Sequence, residues 1–119
     1  MRVIIAGSRT ITNLALVRVA MTQSGLTPTR VVSGTARGAD MLGEMWANEN
    51  GVPVVRYPAD WDGLGKRAGY VRNRLMADNA DALVALWDGC SKGTKDMIET
   101  ARLKGLEVYV AMLPPDPPR

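Results

Sequence analysis

At 119 residues, 46% of them hydrophobic, with a net charge of only +3, the chain has the size of one globular domain that buries about two-thirds of its unfolded surface, and it lacks the Lys/Arg blocks of a nucleic-acid-binding arm. It has no histidine and a single cysteine, Cys90, which excludes Ser-His-Asp and Cys-His nucleophiles, a His general base, a structural zinc cluster and an intramolecular disulfide. Chemistry is left to carboxylates, Arg, Lys, Tyr and hydroxyls, and neither a metal nor a resident cofactor is expected. The longest apolar runs fall far short of the roughly 20 residues of a membrane span, and no signal-peptide pattern precedes the first strand-like run, so a soluble, cytoplasmic chain without a membrane partner is expected.

The first strand-like run, Arg2 to Ala6, is nearly continuous in apolar residues, as a parallel strand covered on both faces should be. It ends in GSRT, Gly7 to Thr10. A helical pattern follows from about Thr12 to Ser24, with Leu14, Val17 and Met21 on one face and Gly25 as its stop. The second strand, Arg30 to Ser33, runs into SGTARGAD, Ser33 to Asp40, and then a helix from Asp40 to Asn50 with Met41, Leu42, Met45 and Trp46 inward. A third strand, Pro53 to Tyr57, is separated from the next helix, Gly69 to Asn79, by about a dozen residues; Val71 and Leu75 are the packing candidates of that helix. The fourth strand, Asp81 to Trp87, leads through DGCSKGTKD, Asp88 to Asp96, into a helix from Thr94 to Lys104 that packs Met97, Ile98 and Ala101. A fifth strand spans Leu106 to Met112, and the tail PPDPPR, Pro114 to Arg119, should be extended and exposed. Residues 1–113 thus form one domain and 114–119 a Pro-rich tail.

This alternation predicts an α/β fold: a single three-layer, Rossmann-like domain around a five-stranded parallel sheet of order 3-2-1-4-5. Such a sheet binds ligands at the carboxyl ends of its strands, where the strand order reverses, here between strands one and four. GSRT and DGCSKGTKD then flank the crevice, SGTARGAD stands one strand away, and the long Pro58 to Gly69 loop passes over it.

Each turn combines glycine, a hydroxyl and a cation, which is what brings backbone N–H groups and positive charge up to a phosphate at a helix start. In the first turn these are Gly7, Ser8 and Arg9. In the second they are Gly34, Thr35, Arg37 and Gly38, followed by Asp40, which either caps the helix or holds Arg37 or a ribose hydroxyl, capping being the better reading for an Asp at a helix start. In the third they are Gly89, Ser91, Gly93 and Thr94, after Asp88. That turn is not a Walker A loop, because Gly93 is followed by Thr94 and then Lys95 rather than by Lys and Ser/Thr. Arg72 and Asn73 stand near the start of the third helix, where the helix dipole disfavours a cation and better helix formers than Asn exist, so a ligand or a polar network is expected there. Tyr57, Trp61 and Tyr70 are candidates to stack on a base, with Trp61 read first as the anchor of the long loop.

Taken together and in this order, GSR, SGTARGAD, ADWDGLGKRAGYVRNRLM and ALWDGCSKGTKDMIETA closely resemble the YspA-related branch of the SLOG superfamily over nearly the whole chain. Members share a Rossmann-like domain with DNA-processing protein A and the LOG cytokinin-activating enzymes. The resemblance implies a pocket for a nucleotide or nucleotide-derived phosphorylated small molecule, formed by the residues named above, and a homo-oligomer. LOG enzymes, which hydrolyse nucleoside monophosphates, carry a catalytic Glu three places after the Thr of PGGxGTxxE; this chain has Met97 there, with Asp96 and Glu99 turned about 100° and 200° away on the helix. Binding is therefore the leading reading. Whether the chain is an enzyme stays open: the alternatives are an N-glycoside (phosphoribo)hydrolase in which Asp40, Asp88 or Glu99 polarises water, and single-stranded nucleic-acid binding.

Overall fold

The computed structural model describes residues 1–113; the proline-rich tail lies outside them. Five strands, β1 (Arg2–Gly7), β2 (Arg30–Ser33), β3 (Val54–Arg56), β4 (Ala82–Trp87) and β5 (Glu107–Met112), form one parallel sheet of order β3-β2-β1-β4-β5. The register pairs Val3 with Val31 on one side and with Ala82 on the other, which puts β1 at the centre of the sheet between β2 and β4. The period of two splits β1 between two cores. Val3 and Ile5 pack on one face with α1 (Leu14–Ser24) and α2 (Ala39–Glu49), while Ile4 and Ala6 pack on the other with α4 (Ala68–Asp78) and α5 (Lys92–Leu103). Burying each such aliphatic side chain stabilises the fold by about 1.5–3 kcal/mol.

The helix ends follow local chemistry. The Asn13 side chain accepts from the Ala15 N–H at 3.0 Å to start α1, and Ser91 Oγ accepts from the Thr94 N–H at 3.4 Å to start α5. Because Ser91 is the cap, α5 begins at Lys92, two residues before the Thr94 expected from the sequence.

Two helix faces differ from the sequence reading. Met41 and Met45 are 46% and 51% exposed, and the inward seam of α2 is Ala39, Leu42, Gly43 and Ala47. The Ala39 N–H donates to the Ser8 carbonyl at 3.2 Å, and a Cβ on Gly43 would lie 2.7 Å from Ile5 Cγ2. The small residues at 39, 43 and 47 thus bring α2 close to the sheet and turn the methionines outward. In α4, Val71 and Leu75 are exposed, and Ala68, Asn73, Met76 and Ala77 face inward. Asn73 takes part in a polar network described below, and that network sets the rotation of the helix.

The Pro58 to Gly69 segment is not bare loop. It contains a four-residue helix, α3 (Trp61–Leu64), capped by Asp60, whose side chain accepts from the Gly63 N–H at 3.0 Å, and then a 3₁₀ turn, Gly65–Arg67. Trp61, expected to anchor this segment to the body, is instead 51% exposed. Among the described residues no helix is long and apolar enough to cross a membrane.

Candidate functional site

The turns after β1, β2 and β4, and the segment after β3, meet at the carboxyl edge of the sheet, and Ser8 ties three of these elements together. Its N–H donates to the Leu86 carbonyl at 3.0 Å, its carbonyl accepts from Ala39, and its Oγ accepts from the Asp88 N–H at 3.2 Å. At 1% exposure, Ser8 is buried in this knot of turns, and its side chain is not on the open surface of the edge where the sequence reading put it. Gly38 packs on the same knot: at φ +78 its Cβ would stand 2.4 Å from the Ser8 carbonyl oxygen, so only glycine fits.

The turn after β2 is held from below. Ser33 Oγ donates to Glu44 Oε2 at 2.7 Å and accepts from the Thr35 N–H at 3.1 Å, while Arg56 Nε donates to Glu44 Oε1 at 2.8 Å. Glu44 is 5% exposed, and its pairing with Arg56 and Ser33 satisfies a buried carboxylate. Thr35 then adopts φ 65, a left-handed conformation that is an outlier for a β-branched residue. Strain of this kind, of order 1–3 kcal/mol, is found at functional sites when the surroundings over-determine it.

Arg72 crosses from α4 to this turn. Its Nη1 donates to the Gly34 carbonyl at 2.5 Å, and its Nε donates to Asn73 Oδ1 at 3.1 Å. A Cβ on Gly34 would lie 2.7 Å from Arg72 Nη1 and 2.8 Å from Asp40 Oδ2, so glycine is what lets both groups approach. Burial lowers the pKa of Arg72, opposed by the nearby Asp40. Asn73 Nδ2 donates to Asp96 Oδ2 at 2.9 Å and to the Gly93 carbonyl at 3.4 Å, which joins α4 to the first turn of α5. Local helix energetics gave no reason for Arg72 and Asn73, and this network supplies one.

Asp40 does not cap α2. The helix starts at Ala39 after Gly38, and Asp40, in its first turn, accepts from the Ala36 N–H at 3.2 Å. Desolvation pushes its pKa up to about 6, against the pull of that hydrogen bond and of Arg72 and Arg9. The other two candidate carboxylates stand elsewhere. Asp88 is exposed and accepts from the Cys90 and Ser91 N–H groups, both at 2.8 Å, which lowers its pKa below the usual carboxylate range. Glu99 points to solvent, 3.9 Å from Lys95 one helical turn back.

Among the described residues, this edge holds a cleft with three adjoining spaces that share Arg9 and Arg72 in their walls. The largest, about 590 Å³, lies between the turn at Gly34 to Arg37 and the segment carrying Pro58, Ala59 and Trp61. A small inner pocket of about 60 Å³ sits at the β1/β4 switch point, among Gly7, Asp40, Asn73, Ser91, Gly93 and Thr94. A side pocket of about 170 Å³ is lined by Trp61, Lys66, Gly69 and Tyr70. Of the residues expected from the sequence, Gly7, Arg9, Gly34, Thr35, Arg37, Asp40, Arg72, Asn73, Ser91, Gly93 and Thr94 line these spaces. Ser8, Gly38, Asp88 and Gly89 do not. The widest part stands over the β2 side rather than at the switch point itself. Sequence reasoning missed Ala36, Pro58, Ala59 and Lys66 as lining residues; the unusual length of the loop was the one signal for the Pro58 and Ala59 wall. Tyr57 packs into the core beside α4 and α5 instead of lining the cleft. Among the described residues, neither Arg9 nor Arg37 has a carboxylate partner within 4.0 Å, and no group of three or more Asp, Glu or Cys side chains could hold a metal ion.

Comparison with known proteins agrees with this architecture. The sequence model of the family described as "YspA, cpYpsA-related SLOG family" matches residues 1–63. The Gene 61 protein of Mycobacterium phage D29 is 37% identical over 84 residues, which covers 66% of this chain and 67% of that protein. Among solved structures, DNA processing protein A (DprA) from Streptococcus pneumoniae superposes on 92% of the chain with a TM-score of 0.69 at 24% identity. The match takes up 49% of the DprA chain, so this chain spans about half of its length, and the likeness shows a common fold. With more than half of its residues under the family's sequence model, the chain belongs to the YspA, cpYpsA-related SLOG family.

Proposed function

We propose that the cleft binds a nucleotide or a nucleotide-derived phosphorylated small molecule. The observation that carries this reading is the convergence of Arg9, Arg37 and Arg72 on one cleft, none of them with a carboxylate partner within 4.0 Å among the described residues. Unpaired cations facing a concave surface repel one another until an anion arrives, and each guanidinium offers a forked donor to a phosphate. The first turn of α5 supports the reading, since Ser91, Gly93 and Thr94 open into the inner pocket and a helix N-terminus favours negative charge. A volume of about 590 Å³ lies within the roughly 300–1,000 Å³ of small-molecule sites.

One observation favours a second reading, hydrolysis of a nucleoside monophosphate. Asp40 is the carboxylate of the three candidates that lines the cleft, and a buried acid with a pKa near 6 suits general acid–base work. The fold neighbour DprA is by its name a DNA processing protein. For this chain, with cations gathered in a pocket instead of along a stripe, a small anion is the better-supported ligand.

A thermal-shift screen of nucleoside mono- and diphosphates, with mass spectrometry of the same mixtures, tests the proposal. A ligand at about 100 times its dissociation constant adds roughly 2.7 kcal/mol and raises Tm by several degrees. Absence of a shift with every compound would refute binding. Free base released by the protein, and lost in Asp40→Asn, would establish the hydrolase reading. A steep fall in affinity for a single-stranded oligonucleotide with rising salt, without any mononucleotide shift, would point to nucleic acid.

A further inference from the structure

Trp61 is a large aromatic side chain that the fold leaves half exposed, at 51%, on the wall of the cleft. It lines both the 590 Å³ part of the cleft and the 170 Å³ side pocket, so the indole stands between them. Its position is held. The Asp60 cap fixes the helical turn that carries it, and a Cβ on Gly69 would lie 3.4 Å from Trp61 Cη2, so the ring rests against the first turn of α4. Tyr70, 41% exposed, lines the same side pocket. The cations Arg9 and Arg72 border both spaces. An exposed, oriented indole beside a cluster of guanidinium groups offers two chemistries at once, a flat apolar platform and a phosphate anchor.

We infer that Trp61 is the specificity-determining platform on which the ligand's nucleobase stacks while its phosphate is held by Arg9, Arg37 and Arg72. The inference rests on the nucleotide-binding reading above and narrows it: the ligand is selected for its base, and a sugar phosphate that lacks one is discriminated against. Stacking on an aromatic side chain tolerates any base, because every base has a π-face.

The test is isothermal titration calorimetry of the wild-type chain, Trp61→Ala and Trp61→Phe with AMP, GMP, CMP, UMP and ribose 5-phosphate. The wild type should bind at least one nucleoside monophosphate about 5- to 150-fold more tightly than ribose 5-phosphate. In Trp61→Ala that preference should vanish while affinity for ribose 5-phosphate stays unchanged, and Trp61→Phe should retain most of it. If the wild type binds ribose 5-phosphate and the monophosphates equally and Trp61→Ala changes neither, the platform is refuted while the phosphate cleft stands. If Trp61→Ala weakens all five ligands by the same factor, Trp61 only props the loop and the inference fails. If the wild type binds none of the five, both this inference and the nucleotide-binding proposal fall.

Discussion

Replacing Asp40 by Asn should stabilise the protein at neutral pH, the reverse of what removal of a charge beside Arg72 suggests at first sight. Asp40 is 5% exposed, and burial moves its pKa from 3.8 to about 6 despite the nearby arginines. At 1.36 kcal/mol per pKa unit, holding this carboxylate ionised in the folded state at pH 7 costs on the order of 3 kcal/mol. Because the folded pKa is raised, the folded state binds the proton more tightly than the unfolded chain. The associated stability is complete below the unfolded value of 3.8 and is lost as pH rises through about 6. Asn keeps the shape of the side chain and an oxygen that can accept from the Ala36 N–H, but has no charge to desolvate. Urea denaturation of both proteins, followed by tryptophan fluorescence from about pH 4 to about pH 8, reads the difference directly. The stability of the variant relative to wild type should grow by on the order of 3 kcal/mol across that range. A variant that is less stable at pH 8, by an amount that does not change with pH, would show that attraction to Arg72 outweighs desolvation and would refute the reasoning.

Three further outcomes are expected. Arg72→Ala should weaken nucleotide binding by roughly 10- to 150-fold, the value of a charge-assisted contact of about 1.5–3 kcal/mol, with Arg72→Lys recovering only part because an ammonium lacks the planar fork; calorimetric titration measures both. Gly38→Ala should lower stability by more than about 2 kcal/mol, seen as a fall in Tm, because the added methyl meets the Ser8 carbonyl oxygen at 2.4 Å in a left-handed backbone. Glu99→Gln should leave ligand affinity unaltered and stability within about 0.5 kcal/mol, since Glu99 makes only an exposed contact with Lys95 outside the cleft; a loss of base release in this variant would contradict the placement of the site.

The strand order was legible in the sequence because it follows from apolar runs and from turns rich in glycine, both of which are local signals, whereas the widest part of the cleft, over the β2 side, follows from the path of the Pro58 to Gly69 segment. Apolar side chains on the helices were harder to place. Met41, Met45, Val71 and Leu75 are apolar and spaced for packing, yet they face solvent because small residues at 39, 43 and 47 and the Asn73–Asp96 contact set the rotation of α2 and α4. The same limit applies at the site. Ser8 and Arg9 are neighbours in one motif, but the backbone turn buries the first and presents the second to the cleft. Asp40 looks like a cap by position, and only the three-dimensional arrangement puts it between Ala36 and Arg72. Trp61 read as an anchor because large aromatics usually bury their surface, yet at the start of the four-residue α3, with one edge of its ring beside Gly69, it stays 51% exposed.

The central claim is that the cleft at the carboxyl edge of the sheet is a nucleotide site. Its most direct test is a ¹⁵N–¹H correlation spectrum of the labelled protein titrated with the nucleoside monophosphate that gives the largest thermal shift. The amides of Gly34 to Arg37, Gly93 and Thr94 and the Trp61 indole N–H should move together and saturate with one dissociation constant, while those of β5 and of exposed Leu103 stay in place. Saturable shifts confined to residues outside the cleft, or a spectrum that does not change at millimolar ligand, would contradict it.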